Sequence, residues 1–184
     1  MSAAEAVPAQ ATSRPRADTA GQLRTANFKD GAVGAWTAVG DQKITHAPSV
    51  IVYPGYRLGV FARTGNGGIV SSVQTAEGGA FPAAWTKVGA LTAAGAPSAV
   101  VDPPTGFTRV VARSEDGTIH TTREETQGAF GTWRAWEQAG TGRSATDPTA
   151  FSYEGAGGSW NSAWAYVYRA DSGEARVNTA PSGS

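Results

Sequence analysis

The sequence predicts an all-β fold assembled from a repeated four-stranded unit, and three observations carry that prediction. The chain of 184 residues repeats itself about every 50 residues. Each repeat breaks into short apolar or alternating stretches bounded by Gly, Pro, Asp or Asn, which is the pattern of strands and hairpins. Apolar residues recur nowhere at i, i+3, i+4 and i+7 over three turns, so almost no helix is expected.

The elements follow in order along the repeat. The first stretch opens on Ala47-Pro48-Ser49, Ala96-Pro97-Ser98 and Asp147-Pro148-Thr149, spaced by 49 and 51 residues. Apolar runs come next: Val50-Ile51-Val52, Ala99-Val100-Val101 and Ala150-Phe151. The second stretch is Val60-Phe61-Ala62-Arg63, then Val110-Val111-Ala112-Arg113, then Tyr166-Val167-Tyr168-Arg169. A turn glycine follows each, at Gly67, Gly117 and Gly173. The third stretch alternates, as in Gly68–Ser72, Thr118–Thr122 and Glu174–Asn178. The fourth joins a Gly-Ala segment to a Trp: Gly79-Ala80-Phe81 with Trp85, and Gly128-Ala129-Phe130 with Trp136. Each Trp stands four residues before a glycine, Gly89 or Gly140. The start of the chain carries the third and fourth stretches alone, as Gly21–Thr25 and as Gly31-Ala32-Val33 with Trp36 and Gly40. The end carries the first three. Thirteen strands are therefore expected.

Four strands in a repeat of about 50 residues fit a β-propeller blade, which cannot bury both faces without a neighbour on each side. The expected organisation is a flexible leader or linker over 1–19, a propeller repeat domain over 20–180 and a tail over 181–184. Within the domain lie a half blade (20–43), two blades (44–92 and 93–142) and a partial blade (143–180). That amounts to about three blades per chain.

Composition narrows the function. Lys+Arg and Asp+Glu are each 15, so the net charge is zero, which argues against a partner held by phosphate neutralisation, nucleic acid above all. Cysteine is absent, which excludes a disulfide framework and a thiolate metal site or nucleophile. Two histidines exclude a three-histidine metal centre within one chain. No apolar run approaches 18 residues, so no membrane insertion is expected. Residues 1–20 lack the continuous apolar segment of an intact secretory signal. Leu, Ile, Val and Phe total only 28, and the six Trp and five Tyr supply the apolar area that this count misses.

The unit Gly-x-apolar-x-x, then Gly-Ala-aromatic, then Trp-x-x-apolar-Gly resembles the repeat of secreted bacterial β-propeller lectins of the Photorhabdus fucose-binding type. The matching pieces are Trp36–Gly40, Trp85–Gly89 and Trp133–Gly140, the last with a paired Trp-x-x-Trp. Asp116-Gly117-Thr118-Ile119-His120 resembles the family's strand after the glycine turn. The resemblance covers about residues 20–180 and implies a seven-bladed propeller that binds fucose-like sugars between blades. This chain holds about three blades of sequence, and the other positions equivalent to His120 are Arg24, Val70 and Arg176.

Sugars present apolar C–H faces to aromatic rings and hydroxyls to polar side chains. The candidate sugar contacts are Trp133, Trp160, Asn161, His120, Arg113 and Trp136. Trp133 has no counterpart in the other copies. Trp160 and Asn161 lie in a lengthened Gly-rich loop, because 56 residues separate Arg113 from Arg169 where 50 separate Arg63 from Arg113. Trp36, Trp85 and Trp136 recur once per repeat, as structural wedges do, and Trp164 reads as core. The recurring Arg63, Arg113 and Arg169 read as structural cations paired near the following turn, or as a ring for an anionic sugar. His120 reads either as a hydrogen-bonded strand residue or as a sugar contact.

Glu115 with Asp116, and Glu124 with Glu125, are adjacent pairs whose side chains point to opposite faces of a strand, so neither pair converges as a glycosidase requires. The expectation is a secreted, non-catalytic carbohydrate-binding protein with a glycan ligand and no cofactor or metal. The alternatives are a structural adaptor in a larger assembly and a propeller glycosidase or sialidase. Incomplete end blades further predict a homodimer, or a partner chain that completes the ring, since open strand edges invite pairing.

Overall fold

The computed structural model describes residues 12–13, 16–53, 55–154 and 163–179. Among these residues there is no helix, and 17 strands form four sheets in series with a small fifth sheet. The first sheet is β2 (Arg16–Ala17), β3 (Gln22–Thr25) and β6 (Thr37–Lys43). The second is β7 (Ser49–Tyr53), β8 (Arg57–Arg63), β9 (Gly68–Val73) and β10 (Thr86–Thr92). The third is β11 (Ser98–Val101), β12 (Thr108–Arg113), β13 (Thr118–Arg123) and β14 (Glu137–Arg143). The fourth is β15 (Thr149–Tyr153), β16 (Ala163–Arg169) and β17 (Ala175–Thr179). The small sheet joins β1 (Thr12–Ser13), β4 (Asn27–Lys29) and β5 (Ala32–Val33). All strand pairs are antiparallel.

One hairpin geometry repeats four times. The N–H groups of Asp18, Thr64, Ser114 and Ala170 each donate to the carbonyl four residues on, at 2.8–2.9 Å. The N–H groups of Gly21, Gly67, Gly117 and Gly173 donate back to those four residues' carbonyls at 2.8–3.0 Å. These glycines have φ of +78°, +86°, +88° and +91°, where a side chain is strained. The turn glycine seen in the sequence is therefore required, and Gly21 is its fourth instance.

The thirteen expected strands are present, and four more join them. β1 and β2 lie inside the stretch 1–19, where no apolar alternation marks a strand; Arg16–Ala17 is ordered by pairing with Leu23 and Arg24. β4 and β5 form a hairpin turned by Asp30-Gly31 at φ +53° and +79°, the two-residue turn that matches strand twist. The fourth strands start later than the sequence pattern placed them. β10 and β14 begin just after Trp85 and Trp136, and the Gly-Ala-aromatic segments are loops whose Phe81 and Phe130 pack back onto the core.

Strand periodicity explains the apolar second stretches. Val60 and Ala62 pack against Leu23 and Val39 of the first sheet and Ile44 just beyond it, while Phe61 between them packs against Val88, Val110 and Ala112. In the third sheet Val111 turns the other way, toward Trp164, Tyr166 and Tyr168. Successive side chains thus serve opposite junctions, so the whole stretch must be apolar. Val60, Phe61, Ala62, Val110, Val111 and Ala112 are all fully buried.

The sheets are also stitched by hydrogen bonds. Thr45, Ala94 and Ala145 donate their N–H groups to the carbonyls of Arg63, Arg113 and Arg169, at 3.0, 2.8 and 2.9 Å. Ser49 Oγ accepts the Ala99 N–H, and Ser98 Oγ accepts the Ala150 N–H, each at 2.9 Å. The recurring Ser of the Ala-Pro-Ser triplet is therefore a link between the first strands of consecutive sheets.

Candidate functional site

The recurring Trp and Gly meet across sheets rather than within one strand. Gly40, Gly89 and Gly140 have φ of +62°, +62° and +79°, which turns the carbonyl just before each out of its ladder. The next sheet satisfies that carbonyl. Trp85 Nε1 donates to the Val39 carbonyl at 3.1 Å, and Trp136 Nε1 donates to the Val88 carbonyl at 2.8 Å. The rings lie so close that a Cβ on Gly40 or Gly89 would fall within 2.3 or 2.6 Å of the indole. At the third junction the donor changes. Tyr166 Oη donates to the Ala139 carbonyl at 3.0 Å and accepts a 2.6 Å bond from Asn178 Nδ2.

Each junction has a cleft beside the end of a third strand and the start of the fourth; the neighbouring sheet closes it with the Gly78–Phe81 loop in the first, Phe130 in the second, and β16 and β17 in the third. The first, about 390 Å³, is lined by small groups such as Ala26, Gly34, Ala38 and Gly79, with Gln74 and Phe81. The second, about 210 Å³, has Arg57 stacked on Phe130 at 4.5 Å. The third, about 490 Å³, is different in kind: Arg109, Arg123, Arg134 and Glu137 line it together with Trp164, Tyr166 and Asn178.

The contrast is sharpest position by position. Arg109 and Arg123 face each other across β12 and β13. The equivalent cross-strand pair in the second sheet is Gly59 and Val73, and in the fourth Ala165 and Thr179. Like charges directly opposite destabilise a sheet, so the scaffold has no need of two arginines there. Arg109 Nε is held by Asp102 Oδ2 at 3.1 Å, with both side chains nearly buried, and Thr105 Oγ1 donates to the same oxygen at 2.7 Å. The Arg109 guanidinium stands 5.1 Å from the centre of the Trp164 ring. Arg123 covers Phe107 at 4.4 Å. Burial, then repulsion from Arg134 and Arg109, lowers the Arg123 pKa from its ordinary value. The Trp164 indole N–H is buried without a hydrogen-bond partner among the described residues.

The residues singled out in the sequence are dispersed. Trp136 is the junction wedge over Gly89. Trp133 is half-buried, edge-on to Phe61 at 5.6 Å, with its indole N–H buried and unpartnered among the described residues. His120 is half-buried on β13, with Nε2 2.9 Å from Thr118 Oγ1. Arg113 pairs with Asp147 at 3.2 Å, and Asp147 also accepts the Ala96 N–H at 2.9 Å. Arg63 donates to the Ala93 carbonyl at 2.7 Å, so these two arginines tie loops. Trp164 is core, as its place in the repeat predicts. Trp160 and Asn161 lie outside the described residues. Sequence reasoning passed over Arg109, Arg123, Arg134, Tyr166 and Asn178. The signal available was the interruption of a repeated apolar or small position by arginine, which needs the strand register to be read.

The adjacent carboxylates are also accounted for. Glu124 is wholly buried, and its oxygens accept the N–H groups of Thr108 at 3.0 Å and Phe130 at 3.3 Å. Gln74 does the same for Leu58 at 2.9 Å in the second sheet. Asp116 closes the Ser114–Thr118 turn, and the hydroxyl and amide donors around it hold its carboxyl well below the usual range. No group of three or more His, Cys, Asp or Glu stands together among the described residues.

No family model matches the chain, and no curated protein matches it. Among solved structures it is similar to the lectin of Aleuria aurantia. A variant of that lectin in complex with Fucα1-6GlcNAc aligns with a TM-score of 0.57 at 16% identity, over 93% of this chain and 53% of that one. The mercury derivative of the fucose-specific lectin aligns with a TM-score of 0.55 at 16% identity, over 89% and 51%. An α-L-arabinofuranosidase of Clostridium thermocellum aligns with a TM-score of 0.53 at 15% identity, over 96% and 61%. The chain thus spans about half the length of the lectin structures it matches. At such identities the likeness establishes the fold, which is all-β and of the β-propeller type.

Proposed function

We propose that this chain is a non-catalytic carbohydrate-binding protein that holds a glycan in the third inter-sheet cleft. The observation that carries the reading is the gathering of guanidinium, carboxylate, amide and aromatic groups in one of three equivalent clefts. Sugar recognition needs apolar surface with a few fixed donors and acceptors; exposed Val177 gives the cleft an apolar side over the buried Trp164 and Tyr166, and Arg123, Arg134, Glu137 and Asn178 give it polar groups. The likeness to fucose-specific lectins supports the class of ligand; a Photorhabdus-type relation, secretion and Trp133, Trp160 or Asn161 as further contacts remain part of the proposal.

The arabinofuranosidase likeness gives a second reading, a glycosidase. Against it, Glu124 is committed to backbone N–H groups and Asp102 to Arg109, which leaves Glu137 without a second free carboxylate in the cleft among the described residues. A partner chain, in the simplest case a second copy, is proposed to pair with the outer edge of β17, on which Val177 is exposed. A glycan array tests the function: selective binding of a glycan class supports it, no binding favours an adaptor, and turnover of fluorogenic glycosides favours the enzyme.

A further inference from the structure

The charges of the third cleft do not balance. Arg109, Arg123 and Arg134 line it, and among the described residues Glu137 is the one carboxylate in its wall. Asp102, behind the wall, is held by Arg109. Among the described residues, three cations against two carboxylates leave one positive charge unmatched. Among the described residues neither Arg123 nor Arg134 forms an ion pair. Arg123 and Arg109 are held opposite each other on adjacent strands, a like-charge pair that costs stability unless an anion answers it. The registers of the second and fourth sheets show that the fold does not demand this facing pair. Gly59 and Val73 stand at the same register in the second sheet. The third cleft also contains the Trp164 ring, whose buried N–H lacks a partner among the described residues.

We infer that the third cleft selects acidic glycans, with a carboxylate or sulfate of the sugar seated between Arg123 and Arg134. The inference rests on the carbohydrate-binding reading above and names its ligand class. A planar guanidinium offers paired donors to either anion, and half-buried Arg123 is less screened by water than exposed Arg134. Arg109, already neutralised by Asp102, backs the site, and the sugar ring lies toward the exposed Val177 and Thr179 side of the cleft.

The test is paired titration calorimetry on the full chain. The probes are oligogalacturonate, oligosialate and sulfated galactan, each beside its methyl-esterified or desulfated counterpart. Binding to at least one charged probe, weakened roughly ten- to hundredfold in its neutral counterpart, is the expected result. Arg123→Gln and Arg134→Gln should cause a similar loss, while Arg143→Gln, outside the cleft, should not. Arg134 is exposed, so its replacement leaves the core untouched. Equal binding of the neutral counterparts would overturn the acidic preference and leave the carbohydrate reading standing. Charged binding unchanged in Arg123→Gln and Arg134→Gln would overturn the placement. Failure of every glycan, charged and neutral, would overturn both.

Discussion

Replacing Gly89 by Ala should destabilise the protein through the junction between the second and third sheets. Two costs add. At φ +62° an alanine pays the left-handed penalty of roughly 1–2 kcal/mol. Its Cβ would also stand 2.6 Å from Trp136 Cδ1 and Nε1, and a packed indole cannot swing aside as a flexible side chain would. The ring must retreat, and the 2.8 Å bond to the Val88 carbonyl goes with it. Leaving that carbonyl unsatisfied costs about 1–3 kcal/mol. The sum is about 3 kcal/mol. Gly173→Ala isolates the first cost, because Gly173 has φ +91° and nothing within 4 Å of the added carbon; it should cost about 1 kcal/mol. Urea denaturation followed by tryptophan fluorescence reads both. A gap of about 2 kcal/mol between the variants is expected. Trp136→Phe, which keeps a ring but removes the donor, should cost about 1–2 kcal/mol and should couple to Gly89→Ala in a double-mutant cycle. Equal costs for Gly89→Ala and Gly173→Ala would refute the cross-sheet lock.

Three further outcomes follow from the same geometry. Glu124→Gln should keep the bond from the Thr108 N–H, as Gln74 does for Leu58, but lose the one from the Phe130 N–H, so it should cost about 1 kcal/mol against about 2–3 kcal/mol for Glu124→Ala; thermal melts separate the two. Asp116 has a depressed pKa, so its contribution to stability is full above the ordinary carboxylate value of 3.8 and is lost as pH falls through the lowered folded value. Asp116→Asn should keep the turn, as Asn66 does in the second sheet, and acid titration of stability should then be shallower below that pH. Light scattering at micromolar protein should find a mass above the monomer if β17 pairs with a partner copy, and a stable monomer would defeat that proposal.

The fold was legible because its turn chemistry and apolar stretches are local. Gly67, Gly117 and Gly173 mark the same hairpin, and Val60–Arg63, Val110–Arg113 and Tyr166–Arg169 mark the same strand. What each residue touches was less legible. Trp85 and Gly89 look like one motif, yet Trp85 grips Gly40 and Gly89 is gripped by Trp136. The motif is two halves of two junctions, and only closure of the sheets reveals it. β2 escaped notice because two residues carry no period. The site was the least legible part. Arg109, Arg123 and Arg134 are 14 and 11 residues apart in a chain with 12 arginines, and nothing local distinguishes them from Arg63 or Arg113. Cross-strand register brings two of them together, and the neighbouring sheet turns them into a cleft wall. The tryptophans are conspicuous because they are rare, and their packing was not legible: Trp136 reaches the Val88 carbonyl of the sheet before it, and Trp133 lies edge-on to Phe61.

The most direct test of the central claim is the amide and indole NMR spectrum of the full chain titrated with a glycan that the array selects. The account predicts saturable shifts confined to Thr121–Arg123, Arg134–Gly140 and Val177–Thr179, with the Trp164 indole N–H among the largest. Shifts centred on the first cleft, near Ala26, Gly34 and Phe81, or spread evenly over the surface, would contradict it.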